Sequence, residues 1–397
     1  MRALLGMLGG VVATSIALPA LAATIVVTTT ADPAPSGCGL RNAIVAANTD
    51  APSGGCAAGS GADVIDLLGL SGTIHLGTGA TPTALPLLTT GITFHGPGAD
   101  RLSISGDGSV QIFVVFGFDP GVVIEDVTLV DGTSANSAAD PGYGGCILSY
   151  GTLGLRDVRL TGCSGQGAIY VMSGVPHLDR VLIDANLGSG ISVGGVTGAG
   201  GLVLENSTVS GNGSTGLELL NFDGPGPFAF VYGSTFVDNG DANLFVPIFA
   251  GDPTDFPLHL DHVLLAHEPP GMNCAGQPIF SDGFNIANDE SCELDETSDL
   301  IDVDPEIGPL ADNGGPTASH LPLPGSPAID SGAVNCPGFN GIRPFDQRGE
   351  PRPADGDGNG DFDCDRGAVE VPESSGGNAV AWLVLSWLVR GRRRASC

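Results

Sequence analysis

Apolar residues in the middle of the chain recur on one template: an apolar position, two residues, a second apolar position, one residue, and a third. It fits Ile124, Val127 and Leu129; Leu155, Val158 and Leu160; Leu178, Val181 and Ile183; and Leu260, Val263 and Leu265. Two further copies, Leu204, Ser207 and Val209, then Val231, Ser234 and Phe236, place serine in the middle. The first positions follow one another at 31, 23, 26, 27 and 29 residues, which is the length of one solenoid turn. Residues two apart share a strand face, and the three-residue step puts a bend between two short strands. A further short strand follows in each turn, as in Ala168–Val171, Gly190–Val193 and Gly216–Leu219. Turns this short hold no crossover helix, so the strands must run parallel from coil to coil. The predicted fold is all-β, a right-handed parallel β-helix. An antiparallel sandwich is the alternative, but it does not require columns of like residues at a fixed period.

Three residues beyond the last template position stand Asn186, Asn212 and Asn239, with Cys163 in that place one turn earlier. Turns stacked at about 4.8 Å would lay these amides over one another as an asparagine ladder, satisfying buried turns without charge. Near the start, Leu40, Ile44 and Ala47 share one face of a short predicted helix, a lid for the open first coil.

Composition agrees with many short strands and tight turns: 63 glycines, 29 prolines and 15% charged residues. The chain has no lysine, and five of its 14 arginines (Arg2, Arg390, Arg392, Arg393, Arg394) lie in the terminal segments, leaving nine to face 44 carboxylates. So acidic a body would be repelled by nucleic acid and by anionic lipid, and nucleic acid is excluded as a partner.

Residues 1–22 read as a signal peptide: Arg2, an apolar stretch from Ala3 to Ala17, Pro19, and the small-residue site Ala20-Leu21-Ala22. Eight of the nine cysteines fall in the body as sequential neighbours, Cys38 and Cys56, Cys146 and Cys163, Cys274 and Cys292, Cys336 and Cys364, with Cys397 left over. Eight cysteines allow 105 connectivities, and nearest-neighbour pairing is the one proximity suggests. In residues 373–397, Ser374-Ser375-Gly376-Gly377 precedes an apolar run from Ala379 to Val389 and the arginines Arg390, Arg392, Arg393 and Arg394. The run is too short to cross roughly 30 Å of hydrocarbon. It resembles the Gly-Gly sorting tails processed by rhomboid-type proteases, with Gly376 and Gly377 as the glycine pair and a transient membrane contact set by Arg392, Arg393 and Arg394.

Two longer segments carry a family resemblance. Cys38-Gly39-Leu40-Arg41-Asn42-Ala43-Ile44 with Ala47-Asn48 resembles the CSLREA motif that opens many bacterial surface β-helix proteins, with Gly39 and Asn42 departing from its usual Ser and Glu. Asn313–Thr317, Gly325–Asp330, Asp346–Gly349 and Arg366–Glu370 resemble the choice-of-anchor Q domain, which closes such proteins before a sorting tail. The resemblance implies an exported or cell-surface protein, met by export and sorting machinery, in a family with no assigned reaction. The expected organisation is a signal peptide (1–22), a cap (23–60), the β-helix (61–305), an irregular anchor-associated region (306–372) and a sorting tail (373–397).

Short motifs add little chemistry. Gly190-Ile191-Ser192-Val193-Gly194 matches a nucleophile elbow, but that chemistry needs a helix after the turn, and a glycine-rich stretch follows here. Gly211, Gly213 and Gly216 match a phosphate-loop pattern between two strands and read as turn glycines. His259, His262 and His267 resemble a metal set until the strand period sends the first two to different faces, which leaves surface or ladder-edge histidines. No catalytic residue is assigned. Asp355, Asp357, Asn359, Asp361 and Asp363 alternate about Gly360 as in the first half of a calcium loop, while Arg366 stands where the closing glutamate belongs. A solvated acidic turn and a structural calcium site both fit. Two functional classes remain: a non-catalytic surface protein that adheres, displays or scaffolds through contact with an extracellular ligand, glycan or surface component, and a polysaccharide lyase or glycosidase acting on acidic glycans. The lyase version has only Arg101, Arg156, Arg159 and Arg180 in the solenoid as cationic candidates.

Overall fold

The computed structural model describes residues 22–77, 83–116, 121–134, 136–137, 140–195, 200–221, 226–247, 258–277 and 279–372. All of the expected signal peptide except its last residue, and the sorting residues Gly376, Gly377, Arg392, Arg393 and Arg394, lie outside them. The fold is the predicted all-β, right-handed parallel β-helix.

Among the described residues, three parallel sheets of ten, seven and ten strands wind about one axis. The template positions pair in register through every turn: Ile124, Leu155, Leu178, Leu204, Val231 and Leu260 form one column of the first sheet. Leu129, Leu160, Ile183, Val209, Phe236 and Leu265 form another in the third. The second sheet stacks Ile147, Ile169, Ile191, Leu217 and Leu244. These columns belong to one apolar core running from Ile25 to Leu294.

From Val122–Glu125 onward, each first-sheet strand passes to the third sheet through one corner residue in the left-handed region: Asp126, Asp157, Arg180, Asn206, Gly233, His262 and Phe284. This residue supplies the bend inside the three-residue step. Asp and Asn tolerate that conformation, whereas longer side chains hold it at a cost of about 1–3 kcal/mol unless their surroundings fix them. Arg180 is fixed by Asp157, which accepts from its Nε and Nη2 at 2.9 and 2.6 Å.

Helix α1 (Leu40–Thr49) buries Leu40, Ala43, Ile44, Ala46 and Ala47 against strands Thr24–Val26 and Asp63–Asp66. Its left-handed C-cap, Asp50, ends it. The first solenoid strand is Thr24–Val26, which pairs parallel with Asp63–Asp66, so the coil starts ahead of the cap helix and not at residue 61. No helix among the described residues is long and apolar enough to cross a membrane.

Residues 306–372 hold little regular structure beyond the hairpin Pro337–Gly338 and Gly341–Ile342. They lie along the side of the solenoid, over the corner between the first and third sheets. Phe339 N donates to Glu205 Oε1 at 2.9 Å, Thr208 Oγ1 to Gln347 Oε1 at 2.5 Å, and Ala368 N to Thr235 Oγ1 at 2.9 Å. Arg366 Nη1 donates to the Asn285 carbonyl at 2.6 Å. Strands Leu182–Asp184, Thr208–Ser210 and Thr235–Val237 are buried along their whole length.

Candidate functional site

The position just before each first template residue faces outward on the first sheet. In register this column reads Val123, Gly154, His177, Val203, Phe230, His259 and Phe280. Strand stacking brings the rings together: Phe230 and His259 have centroids 4.9 Å apart, and His259 and Phe280 4.7 Å. Phe228 lies 5.8 Å from Phe230, and Phe339, carried in by the C-terminal hairpin, lies 6.1 Å from Phe230 and 6.3 Å from His177. Phe280 is 38% and Phe339 47% exposed, so the rings form an open stripe. The next outward column, Glu125, Arg156, Asp179, Glu205, Tyr232 and Asp261, rims it with polar groups.

The stripe ends in a cleft of about 320 Å³ between the first sheet and the hairpin, lined by Arg156, His177, Asp179, Glu205, Ile342, Arg343 and Phe345 among others. His177 Nε2 and Glu205 Oε2 are 2.7 Å apart. The hydrogen bond to Glu205 raises the His177 pKa against the opposing effect of burial. Burial pushes Glu205 up, but the His177 hydrogen bond, the Phe339 N–H and the charges of His177 and Arg343 together bring it below the usual range. The two therefore form an ion pair at mildly acidic pH. Arg156 is half exposed and donates from Nη1 to Glu125 Oε1 at 2.8 Å.

Arg343 is buried. Its Nε donates to the Pro337 carbonyl at 2.6 Å and its Nη1 to Asn206 Oδ1 at 3.3 Å, while its buried Nη2 has no acceptor among the described residues. Burial pulls its pKa down. The guanidinium packs against Gly233, where a Cβ would fall 1.5 Å from Nη1, so a larger residue at this corner would push Arg343 out of its place. The cleft thus offers cationic donors beside a histidine–carboxylate pair, a setting that can bind an anionic group and move a proton.

The four nearest-neighbour cysteine pairs, Cys38–Cys56, Cys146–Cys163, Cys274–Cys292 and Cys336–Cys364, are closed as disulfides with Cα separations of 4.5 to 5.5 Å. In the ladder, Asn186 Nδ2 donates to Asn212 Oδ1 at 2.8 Å and Asn212 Nδ2 to Asn239 Oδ1 at 2.7 Å. Asn186 Oδ1 accepts from Cys163 N at 2.9 Å. The ladder extends beyond the predicted residues: Asn239 donates to Asn243, Asn243 to Asn273 and Asn273 to Asn288. Asn243 escaped the template because it enters the column from four residues further along the chain.

His259 joins the aromatic stripe, and His267 Nε2 lies 2.5 Å from the Asn239 carbonyl at the ladder edge. His262, expected at the surface or ladder edge, is fully buried instead. It is a corner residue covered by the C-terminal region, with Ala333 N donating to its Nε2 at 2.7 Å and Nδ1 against Asp261. Ser192 lies mid-strand and donates to Glu218 Oε1 at 2.5 Å, and the next element among the described residues is the strand Gly201–Glu205. Gly211 is a left-handed corner, and Gly213 and Gly216 pack against neighbouring coils.

In the acidic loop, Asp355 and Asp357 come together with Asp330, and Asp361 and Asp363 stand outside that group. Asn359 Nδ2 donates to Asp357 Oδ2 at 3.0 Å and its Oδ1 accepts from Asp361 N at 2.7 Å. Of the solenoid arginines, Arg156 and Arg180 line the cleft and Arg159 is bound by Asp184 at 2.8 and 2.7 Å. Arg101 is exposed. Sequence reasoning missed Glu205, Phe339 and Arg343. The stripe did carry a signal, since His177, Phe230 and His259 stand one place before the template, whereas Phe280 follows the last template copy and the hairpin residues follow no period.

No protein-family description matches the chain, and no curated protein does. Among solved structures it is similar to the pectate lyase Pel9A, at 12% identity over 78% of this chain and 88% of that one, with a TM-score of 0.40. It is similar to XylC in complex with xylose, at 10% identity over 78% and 65%, TM-score 0.41. It is also similar to the A-module of the mannuronan C-5 epimerase AlgE4 of Azotobacter vinelandii, at 14% identity over 66% and 91%, TM-score 0.26.

Proposed function

We propose that this protein is an exported surface protein that holds a glycan chain along the outer face of its first sheet. The observation that carries this reading is the stripe of rings, Phe280, His259 and Phe230 set by strand stacking and Phe339 added by the hairpin, at centroid steps of 4.7 to 6.1 Å. Rings repeated along one line, with Phe280 and Phe339 exposed and Phe230 and His259 half-buried, suit a ligand whose flat C–H faces also repeat, and the polar rim beside them suits its hydroxyl groups. The rim carries Glu125, Asp179, Glu205 and Asp261 against Arg156, so the stripe favours a neutral polysaccharide over a polyanion. Four closed disulfides suit an oxidising compartment. The signal-peptide and sorting-tail patterns support surface delivery, and the CSLREA-like and choice-of-anchor Q-like segments support the same address.

Affinity electrophoresis of the purified chain in neutral glycans tests the reading: migration should be retarded, and Phe230→Ala should relieve most of the retardation. Equal migration of both proteins in every glycan would refute it. A second reading rests on the cleft, where Arg343 keeps an Nη2 unpartnered among the described residues beside Arg156 and the His177–Glu205 pair. There an acidic glycan would be cleaved. Incubation with polygalacturonate and other acidic glycans, with and without calcium, should then release unsaturated products or new reducing ends, and Arg156→Ala should abolish them.

A further inference from the structure

We infer that Asp330, Asp355 and Asp357 form a calcium site that clamps the C-terminal region onto the solenoid. The inference stands independently of the glycan reading. One carboxylate oxygen from each of the three lies within 4.8 Å of the others. Asp330 arrives from a separate segment, so the site is not the linear loop that the sequence spacing suggests.

Proximity of carboxylates alone points to no ligand; the state of Asp355 does. That residue is 7% exposed. Its Oδ2 accepts from Gly360 N at 3.0 Å, but its Oδ1 is buried and has no partner among the described residues. A buried carboxylate oxygen without a donor is costly, and a bound cation removes that cost. The partner carboxylates are already oriented by the backbone. Asp330 accepts from Gly356 N at 3.3 Å and Asp357 N at 2.8 Å, and Asp357 accepts from Asn359 N at 2.9 Å. The donor set is all oxygen, with no imidazole or thiolate, which selects a hard cation. Carboxylates on a glycine-rich turn fit the larger, geometrically tolerant calcium better than magnesium, which demands a near-ideal octahedron.

The clamp has a definite mechanical place. The segment carrying Asp330 and the loop carrying Asp355 are the two strips joined by Cys336–Cys364. Both grip the corner residue His262, through Ala333 N to its Nε2 and Gly367 N to its carbonyl at 2.8 Å. Asp330 N also donates to Asp365 Oδ1 at 2.7 Å. An ion bridging the strips therefore fastens the layer that carries Phe339 and Arg343.

The test is a calorimetric titration of the chelator-treated full chain with calcium, alongside thermal unfolding in calcium and in chelator. The expected result is one saturable site with Kd on the order of 10⁻⁴–10⁻³ M, as in extracellular calcium modules, and a higher unfolding temperature with calcium. Asp330→Asn and Asp355→Asn, the latter keeping the Gly360 contact, should each weaken binding roughly tenfold or more, a loss ordinary for metal sites. Asp361→Asn, outside the trio, should bind as the parent does. Circular dichroism matching the parent shows that each variant is folded, and the parent titration stands by itself if one is not. Non-saturable uptake by the parent, or equal weakening by all three substitutions, overturns the site.

Discussion

The solenoid and the C-terminal layer are built from the same chain on opposite principles. In the solenoid each coil packs chiefly on its neighbours, and the core contacts repeat: an apolar residue over an apolar residue, an asparagine over an asparagine. In the layer nothing repeats. It is held by single pairs far apart in sequence and by buried charges, such as Arg352 donating to the Asp365 and Gly367 carbonyls beside Glu370. The difference shows where the molecule is vulnerable. Loss of one repeated contact is shared along a column, whereas loss of one buried charge leaves its partner stranded.

The largest effect should therefore come from Arg352→Ala, which leaves Glu370 buried without its cation, at a cost of about 3–5 kcal/mol. Limited proteolysis should cut within residues 306–372 while the solenoid stays intact; simultaneous loss of both would show that they do not unfold separately. Asn212→Ala is the matching test in the solenoid. It removes the acceptor for Asn186 and the donor to Asn239 and to the Ile183 carbonyl, and should cost about 2–3 kcal/mol in denaturant unfolding. An unchanged midpoint would mean that the ladder does not carry the stability of that corner.

A pH difference should also separate the two regions. Asp365 is pushed up by burial and by the charge of Glu370, and Glu370 is pushed up by burial. Their folded forms favour the proton, so their contribution is present at and below the ordinary carboxylate range and is lost as pH rises from there toward the raised folded values. Hydrogen exchange corrected for intrinsic rates should show residues 306–372 losing protection between pH 5 and 8 more than the solenoid does, and Asp365→Asn should flatten the trend. The smallest effect on stability should come from Arg156→Ala. Its side chain is 53% exposed, and the unfolding free energy should move by less than about 0.5 kcal/mol, while contact with acidic glycans in the cleft is lost.

The same contrast explains what the chain disclosed in advance. The template columns were legible because burial at a fixed period leaves a periodic trace: Leu204, Ser207 and Val209 align with Val231, Ser234 and Phe236 even where serine replaces valine. The ladder was legible for the same reason as far as Asn239, and no further, because Asn243 reaches the column by a local detour. The corner residues carried only a weak trace, in the aspartates and asparagine at 126, 157 and 206, since arginine, histidine and phenylalanine take the same place elsewhere. Part of the candidate site, His177, Phe230 and His259, could have been found one step before the template. Phe339 and Arg343 could not. Arg343 reaches Asn206 across 137 residues, and no local preference encodes such a meeting.

The grip of the C-terminal layer fixes one further property. Its hydrogen bonds reach Thr208, Thr235, His262 and Asn285, so that each of four successive coils carries at least one anchor. Solenoids commonly lengthen or shorten by whole units, but here a unit gained or lost between Thr208 and Asn285 would move the anchors past their partners by about 4.8 Å. In this interval the layer acts as a ruler, and variation in coil number among descendants of this chain is expected elsewhere.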